Sequence, residues 1–385
     1  LFESVSDLEN ASTTMENVYS NKLYREHIIR RNNIQTIMLG FSDGTKDGGY
    51  LTANWSILKA KESLTKVSRK FGIKVLFFDG RGGPPARGGG NTHQFYSSLG
   101  DFIESDEIQL TVQGQTISSN FGTIKSSQYN MEQLISSGIK NRILSNSEVF
   151  NKKNRKTIEK LSSISYKSYK DFKSHPSFIP YLEKMSTIKY YSKTNIGSRP
   201  SKRGVKGEAF NFDKLRAIPF VGSWNQLKQN VPGFYGLGTS INYFYRNNKI
   251  KDVKLLYEEV PFFRALVSNS MMSLTKSFFE LTSYMSKDEE FGEFWKIIHD
   301  EYILTKKMLL KISNFKELME NEPANKLSIQ TRENVVMPLI TIQQYALQIV
   351  KEIESGEIDD KRISVYEKII TRSLYGNINA SRNSA

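Results

Sequence analysis

Two arginines, Arg81 and Arg87, lie within one segment rich in glycine and proline, residues 80–90. A guanidinium group binds phosphate or carboxylate through two parallel hydrogen bonds, an arrangement that a lysine ammonium group cannot reproduce. Glycine also allows the backbone to approach a ligand closely. The spacing therefore predicts a loop that directs both guanidinium groups at one anionic ligand.

A second glycine-rich segment, residues 40–49, contains Asp43. Mg²⁺ prefers oxygen ligands, and it usually takes one or two carboxylates and leaves its other positions to water and substrate phosphate. A single aspartate or arginine in a loop is most often a solvated charge. Two glycine-rich segments of similar character instead favour a joint site for a metal ion and a phosphate.

Apolar runs at 34–39 and 73–78 precede these two segments, and each run predicts a buried strand. Between the runs, residues 50–70 repeat apolar positions with helical spacing. Strand, helix and strand form a βαβ unit, so we expect the two strands to be parallel. Both glycine-rich segments would then be loops at the carboxyl ends of strands, where α/β barrels carry their chemistry.

The rest of the chain is mainly helical in pattern. Apolar residues repeat every three or four positions in 263–285, which predicts one continuous helix with an apolar stripe. Residues 108–121 alternate around Gln113-Gly114 and predict a hairpin, and 217–221 predict one more short strand. Further helices are expected at 123–146, 288–315, 327–355 and 359–377, and a mobile loop at 197–214.

The composition is that of a globular protein. Of the 385 residues, 38% are hydrophobic and 24% are charged. No uninterrupted apolar run reaches about 18 residues, so we expect no membrane span. The absence of cysteine excludes disulfides and thiolate metal sites and suits a reducing compartment, so we expect a cytoplasmic protein.

The formal net charge of +14 has two interpretations. It indicates either a polyanionic partner such as nucleic acid, or lysine-rich solvated faces together with an arginine pocket for a small anion. The lysines are spread along the chain, as in residues 152–173, rather than gathered in one dense block. This distribution favours the second interpretation, without nucleic acid as a partner.

Three other motif interpretations fail for the arginine segment. A dinucleotide-binding fingerprint requires a third glycine where this chain has Pro85, and a P-loop requires a Gly-Lys-Ser/Thr end that is absent here. Arg-Gly-Gly triplets that bind RNA occur in disordered repeats, whereas this segment follows an apolar strand. The four histidines have no metal-ligand spacing, and only His93 lies near the segment.

The order of these motifs resembles the phosphoenolpyruvate carboxylase family. Residues 41–49 are similar to its signature in which Ser-Asp is followed by Lys-Asp and glycine, and residues 78–90 to its second signature, Gly-Arg-Gly-Gly and then Arg-Gly-Gly-Gly. Further matches follow in family order at 1–3, 197–203, 215–219, 236–239, 261–263 and 383. The chain begins at Leu1 rather than methionine and resembles the C-terminal half of such an enzyme, so we expect a fragment.

The resemblance implies a mostly α-helical fold with a partial parallel β barrel, namely the later strands of a (β/α)8 TIM-type barrel embedded in many extra helices. Residues 1–225 would hold the C-terminal part of the catalytic barrel, and residues 226–385 a helical region with inhibitor-binding residues. An essential catalytic histidine of the family lies in the N-terminal half, so we expect the isolated fragment to be inactive. The full-length protein is expected to be a homotetramer.

The implied reaction is the carboxylation of phosphoenolpyruvate by bicarbonate to oxaloacetate and phosphate, with Mg²⁺ or Mn²⁺ as cofactor and aspartate or malate as feedback inhibitor. The residues that match metal ligands are Glu3 and Asp43. Those that match catalytic residues are Arg81, Arg87, Arg216 and Lys46, and those that match substrate-binding residues are Arg199, Arg203 and Asp79. The matching inhibitor-binding residues are Arg87, Lys276, Arg332 and Asn383.

Two departures from the family pattern stand out. The family usually has histidine before Gly-Arg-Gly-Gly, where this chain has Asp79, and it commonly ends in Asn-Thr-Gly, where this chain ends in Asn-Ser-Ala. An aspartate cannot serve as a cation beside phosphate, but it can accept a hydrogen bond or orient Arg81. A dicarboxylate-binding or assembly module remains an alternative function, and a nucleic-acid-binding protein is a further one.

Overall fold

The computed structural model describes residues 1–100, 102–112, 114–144, 150–191, 193, 211–212, 214–359 and 361–381. Its sheet has three parallel strands in sequential order, β1 (Ile34–Gly40), β2 (Lys74–Gly80) and β3 (Ile108–Leu110). Phe2 adds a parallel bridge to Leu39 on the outer side of β1. The two strands expected from the apolar runs, and their parallel pairing, are therefore confirmed.

The register of the sheet aligns the carboxyl ends of its three strands at one edge. Gly40 pairs with Gly80 at the ends of β1 and β2, while Leu39 and Leu110 flank Asp79 on its two sides. Within the described residues the sheet is open, as expected of part of a barrel. Because all the strands run in one direction, everything that follows them in the chain leaves the sheet at the same carboxyl edge.

Helices make up most of the chain. They are α1 (Val5–Ser20), α2 (Lys22–Arg30), α3 (Phe41–Gly48), α4 (Tyr50–Lys70), α5 (Thr92–Tyr96), α6 (Gln115–Phe121), α7 (Ile124–Leu144), α8 (Lys152–Lys173), α9 (Phe178–Met185), α10 (Ile188–Tyr191), α11 (Ala217–Gln226), α12 (Leu237–Arg246), α13 (Ile250–Glu259), α14 (Pro261–Thr275), α15 (Gly292–Ser313), α16 (Pro323–Ser355) and α17 (Ile363–Ser381). No helix among the described residues is long and apolar enough to cross a membrane.

Helix α4 connects β1 to β2 and covers the sheet, as the sequence predicts. It is buried on almost every side between Tyr50 and Ser68, because it packs on β2, α1 and α8. The main apolar core continues from the sheet and α4 into α12, α13, α14 and α15. The sheet is therefore held between helices from distant parts of the chain.

The predicted hairpin at 108–121 is wrong. The structure has only the short strand β3, which pairs in parallel with β2, followed by helix α6. The free edge of β2 accounts for the difference, since the backbone N–H of Thr111 donates to the carbonyl oxygen of Asp79 over 3.1 Å. A parallel partner was available in the sheet, so the segment did not fold back on itself.

The predicted strand at 217–221 is wrong as well, because these residues begin helix α11. A short apolar run is compatible with either a buried strand or a buried helix, and α11 is buried along most of its length. Pro219 lies in the first turn, where a proline is tolerated because the missing N–H has no partner within the helix. Pro219 thus belongs to a helix start.

Two further expectations need correction. The segment 41–48 was expected to be a loop, but it forms helix α3 directly after β1. The stripe at 263–285 was expected to be one helix, but α14 ends at Thr275 and a 3-10 helix begins at Phe279. Between them the backbone N–H of Phe278 donates to the carbonyl oxygen of Lys228 over 2.8 Å, a tertiary contact that draws the chain out of the helix. The other predicted helices are confirmed, with ends shifted by a few residues.

Candidate active site

The candidate site lies at the carboxyl edge of the sheet. Because Gly40 pairs with Gly80, helix α3 and the arginine loop, residues 81–90, leave adjacent strands side by side. The segment after Phe2 enters the same edge, where the backbone N–H of Gly40 donates to the carbonyl oxygen of Phe2 over 2.9 Å. The two glycine-rich segments are therefore neighbours in space, as the βαβ interpretation predicted.

The arginine loop is a compact, internally hydrogen-bonded turn. The backbone N–H of Gly82 donates to the carbonyl oxygen of Arg87 over 2.6 Å, and that of Gly89 donates to Pro84 over 3.0 Å. A Cβ atom added at Gly89 would lie 1.8 Å from the carbonyl oxygen of Gly83, and one at Gly90 would lie 2.1 Å from Oδ1 of Asn269. Both positions therefore require glycine, and the loop has one tightly defined shape.

Arg81 is buried and held from two sides. Its Nε donates to the carbonyl oxygen of Gly88 within the loop. Its guanidinium carbon lies 4.5 Å from the ring centroid of Phe95 and 5.2 Å from that of Tyr96, distances typical of cation–π contacts. These contacts leave Arg81 little freedom to turn, and the residue also lines a cavity of about 400 Å³.

Arg87 joins the loop to the start of α3. Its side chain is buried, and its Nε donates to Oγ of Ser42 over 3.2 Å. Burial lowers the pKa of Arg87 to about 10, and the negative charge of the nearby Asp43 offsets part of that effect. The guanidinium group remains protonated near neutral pH, and it connects the two glycine-rich segments.

Glu3 and Asp43 come from neighbouring segments of the same edge. A Cβ atom added at Gly40 would lie 2.9 Å from Cγ of Glu3, and one added at Gly44 would lie 3.3 Å from the carbonyl oxygen of Glu3. Both carboxylates are partly exposed. The described residues contain no group of three or more His, Asp or Glu side chains that could hold a metal. A pair of partly exposed carboxylates nevertheless fits Mg²⁺, which needs no more than one or two of them.

Two further cations predicted for the site lie near this edge. The Nζ atom of Lys46 lies 4.5 Å from the ring centroid of Phe212. Arg216 immediately precedes α11, and α11 packs against both α3 and the turn formed by Pro85–Arg87. The structure thus brings both elements to the site, whereas the predicted residues Arg199, Arg203 and Asn383 lie outside the described part of the chain.

Asp79, predicted to bind substrate, is fully buried within the sheet. Its Oδ2 atom accepts hydrogen bonds from Nζ of Lys61 over 2.7 Å and from the hydroxyl of Tyr96 over 2.8 Å. Sequence reasoning missed Lys61, although its position was informative. It lies three residues from both Leu58 and Leu64 on a helix, so it faces the core and requires a buried partner there.

A cluster of cations lies at the end of α14. The pKa of Lys276 falls to about 8, because burial disfavours its charge and the positive charges of Lys228 and Arg332 add to this effect. Lys228 is itself buried and forms an ion pair of 2.5 Å with Glu333. Three cations against one carboxylate leave a surplus of positive charge, which suits an anion.

One member of the cation cluster lines the cavity beside the arginine loop. Arg332 lines the same space of about 400 Å³ as Arg81, and His93 lies on its wall as well. Of the residues predicted to bind an inhibitor, the structure thus brings Lys276 and Arg332 together, while Arg87 lies in the arginine loop and contacts Ser42. Lys228 and Glu333 were missed, because nothing in the sequence pattern links them to this site.

These features form a positively charged candidate site at the carboxyl edge of a parallel sheet. The family model for phosphoenolpyruvate carboxylase matches residues 1–380, so the chain belongs to that family. The resemblance seen in the motifs is confirmed at this level, and membership identifies a carboxylating lyase whose family acts on phosphoenolpyruvate and bicarbonate and uses a divalent metal.

Proposed function

We propose that the chain is the C-terminal part of an enzyme that converts phosphoenolpyruvate and bicarbonate to oxaloacetate and phosphate. The observation that carries this proposal is the pairing of Gly40 with Gly80, because it sets the helix of Asp43 beside the arginine loop. An arginine loop next to carboxylates that suit a divalent cation fits a phosphorylated substrate. The parallel strands support a TIM-type barrel, with its later part in residues 1–225 and the helical region in 226–385.

In the proposed reaction a bicarbonate oxygen attacks the phosphorus of phosphoenolpyruvate. The bond from phosphorus to the enol oxygen breaks, and its electron pair remains on the enolate of pyruvate. The carboxyphosphate formed in this step splits into CO₂ and phosphate, which keeps the bicarbonate proton. The enolate carbon then attacks CO₂ and forms oxaloacetate, so atoms and charges balance.

The buried arginines are suited to hold the phosphoryl group through this sequence. Arg81 and Arg87 would donate to its oxygens, and because both side chains are buried, water screens these contacts only weakly. Lys46 and Arg216 would add positive charge at the same edge. A bound Mg²⁺ or Mn²⁺, held by Glu3 and Asp43, would supply further positive charge against the negative charge that develops.

The remaining roles rest on the motif resemblance and on the cation cluster. We propose that Arg199 and Arg203 bind substrate, and that Lys276, Arg332 and Asn383 bind aspartate or malate as inhibitor. A dicarboxylate that recruits Arg87 as well would withdraw it from Ser42 and the catalytic loop, so inhibition would need no distant relay. For the full-length protein we propose a cytoplasmic homotetramer.

The proposal is tested by assaying oxaloacetate formation with phosphoenolpyruvate, bicarbonate and Mg²⁺. We expect activity in the full-length protein, loss of it in Arg81→Gln, and none in the isolated chain, because the motif resemblance assigns the catalytic histidine of the family to the N-terminal half. Turnover by the isolated chain would overturn the fragment hypothesis. An active Arg81→Gln full-length variant would overturn the assignment of the site.

A second function is favoured by the surplus charge around Lys276. In this alternative the chain is a dicarboxylate-binding or assembly module. Aspartate should then raise the melting temperature of the isolated chain, and Arg332→Ala should abolish that increase. If aspartate leaves the melting temperature of the chain unchanged, this alternative is excluded.

A further inference from the structure

The ion pair between Lys61 and Asp79 lies at the end of β2, immediately before the arginine loop. Lys61 is 2% exposed and Asp79 is 0% exposed, and their charged atoms are 2.7 Å apart. Burial lowers the pKa of Lys61, while the carboxylate of Asp79 opposes that effect. Lys61 belongs to α4, and Asp79 is the second-last residue of β2, two positions before Arg81. The pair therefore joins this helix to the end of the strand.

Tyr96 links this pair to Arg81. Its hydroxyl donates to Oδ2 of Asp79 over 2.8 Å, and the same hydroxyl accepts a hydrogen bond from the Arg81 side chain. Burial and the charge of Asp79 raise the pKa of Tyr96, so the hydroxyl keeps the proton that it donates. The ring of Tyr96 also supports the guanidinium group, 5.2 Å from its centroid.

The contacts form one continuous chain from an ammonium group to a carboxylate, then to a hydroxyl and to a guanidinium group. With Nε of Arg81 committed to the carbonyl oxygen of Gly88, the terminal nitrogens remain to meet Tyr96 and the cavity. Each of these four side chains is therefore held by a hydrogen bond to its neighbour. The direction of Arg81 depends on all of them.

We propose that Lys61, Asp79 and Tyr96 are positioning residues that orient Arg81 toward the phosphate of the substrate. The inference rests on the proposed function, since it assumes that Arg81 binds phosphate. It also accounts for the aspartate at position 79. The ammonium group of Lys61 neutralises this carboxylate, so Asp79 can serve as a hydrogen-bond acceptor without repelling the substrate.

The first test is a double-mutant cycle of Tyr96→Phe and Arg81→Gln in the full-length protein. The dissociation constant for phosphoenolpyruvate is measured by calorimetry in all four forms, and KM and kcat in the two forms that keep Arg81. We expect Tyr96→Phe to weaken binding about 3- to 10-fold, the size of the loss of one ordinary hydrogen bond. In the Arg81→Gln background the same change should have no further effect, because its target is gone.

The matched control is Tyr19→Phe, which also removes a buried tyrosine hydroxyl, in this case one hydrogen-bonded to Oγ of Ser68 over 3.1 Å. We expect it to leave phosphoenolpyruvate affinity unchanged. Additive effects of Tyr96→Phe and Arg81→Gln would overturn the inference while leaving the proposed function intact. If instead Arg81→Gln binds as tightly as the wild type, the proposed role of Arg81 in phosphate binding fails, and the inference fails with it.

The second test compares two double variants that both remove the buried charges. Lys61→Met with Asp79→Asn keeps an acceptor for Tyr96, whereas Lys61→Met with Asp79→Leu removes it. We expect KM for phosphoenolpyruvate to stay within about 2-fold of wild type in the first and to rise about 3- to 10-fold in the second. Equal KM values at comparable melting temperatures would show that the contacts among Lys61, Asp79 and Tyr96 serve only stability, and would overturn the proposed positioning role.

Discussion

The Nε atom of Arg87 donates to Oγ of Ser42 over 3.2 Å, a bond that spans the gap between the ends of two adjacent strands. Ser42 belongs to the first turn of α3, beside Asp43, and Arg87 ends the 3-10 turn of the arginine loop. One side-chain contact therefore ties the segment proposed to hold the metal ion to the segment proposed to hold phosphate. If Arg87 moved away from Ser42, this link between α3 and the arginine loop would be lost.

The first prediction concerns the shape of the Arg87 side chain. Replacing it with lysine keeps the positive charge but removes the planar guanidinium group, which can make two parallel hydrogen bonds, and the Nε–H that donates to Ser42. We expect Arg87→Lys to lower kcat/KM for phosphoenolpyruvate by on the order of 100-fold in steady-state assays of the full-length protein. Ser42→Ala, which removes only the acceptor, should cost about 3- to 10-fold. Wild-type kinetics in Arg87→Lys would contradict the proposal that the Arg87 guanidinium group binds phosphate through two parallel hydrogen bonds.

The second prediction concerns pH and the cation cluster. Since the pKa of Lys276 is about 8, its ammonium group loses a proton as pH rises through that value, and the cluster loses attraction for a dicarboxylate. We expect aspartate binding, followed by calorimetry, to weaken between about pH 7 and about pH 9. Lys276→Arg stays charged throughout this range and should flatten the dependence. An equally steep profile in this variant would exclude Lys276 as its origin.

The same shift predicts how stability depends on pH without a ligand. The pKa of Lys276 is lower in the folded chain than in the unfolded one, so between about 8 and the ordinary value the unfolded state binds more protons. The free energy of unfolding should therefore gain a favourable contribution as pH rises from about 8 toward 10.5. Denaturant titrations of the wild type and of Lys276→Met should differ in this direction, because methionine does not titrate.

The third prediction concerns Glu333, the carboxylate paired with Lys228. Its carboxylate pairs with the ammonium group of Lys228, which an incoming dicarboxylate could otherwise bind. We expect Glu333→Gln to tighten aspartate binding about 3- to 10-fold, because the surplus of positive charge increases. Glu290→Gln is the matched control, since Glu290 pairs with Lys184 at the surface. Weaker aspartate binding in Glu333→Gln would show that the carboxylate organises the cations instead.

The fourth prediction concerns the arginine loop itself. An alanine at position 89 would force its Cβ against the carbonyl oxygen of Gly83, so the loop must change shape. We expect Gly89→Ala to reduce kcat/KM by at least about 100-fold while the far-ultraviolet circular dichroism is preserved. In Gly138→Ala, where the added Cβ meets open space within α7, activity should stay unchanged and stability should rise slightly. Full activity of Gly89→Ala would contradict a preformed loop.

The local patterns of the sequence were sufficient for the centre of the fold. Two apolar runs bounded by glycine, with a helical segment between them, identified β1, α4 and β2, since each signal lies within a few neighbouring residues. The alternation in 108–121 misled because the choice between a hairpin and a parallel edge strand depends on β2, which lies far away in the sequence. The run at 217–221 misled because burial on all sides leaves no periodicity.

The site divides in the same way. Arg81, Arg87, Asp43 and Glu3 could be proposed as site residues because glycine-rich motifs surround them or family order marks them. Lys61 and Lys228 could not be assigned, because their roles depend on buried partners that only the folded chain brings near. Asp79 was identified as a departure, but its contacts with Lys61 and Tyr96 required the structure.

The buried pair of Lys61 and Asp79 also restricts how this sequence can evolve. Histidine at position 79 beside an unchanged Lys61 would confine two potential cations in the core, and loss of Lys61 alone would strand a carboxylate there. Breaking a buried pair on one side costs about 3–5 kcal/mol, a large part of the stability of most domains. Lineages should therefore exchange both residues together or keep both, so the two positions are expected to covary among relatives of this chain.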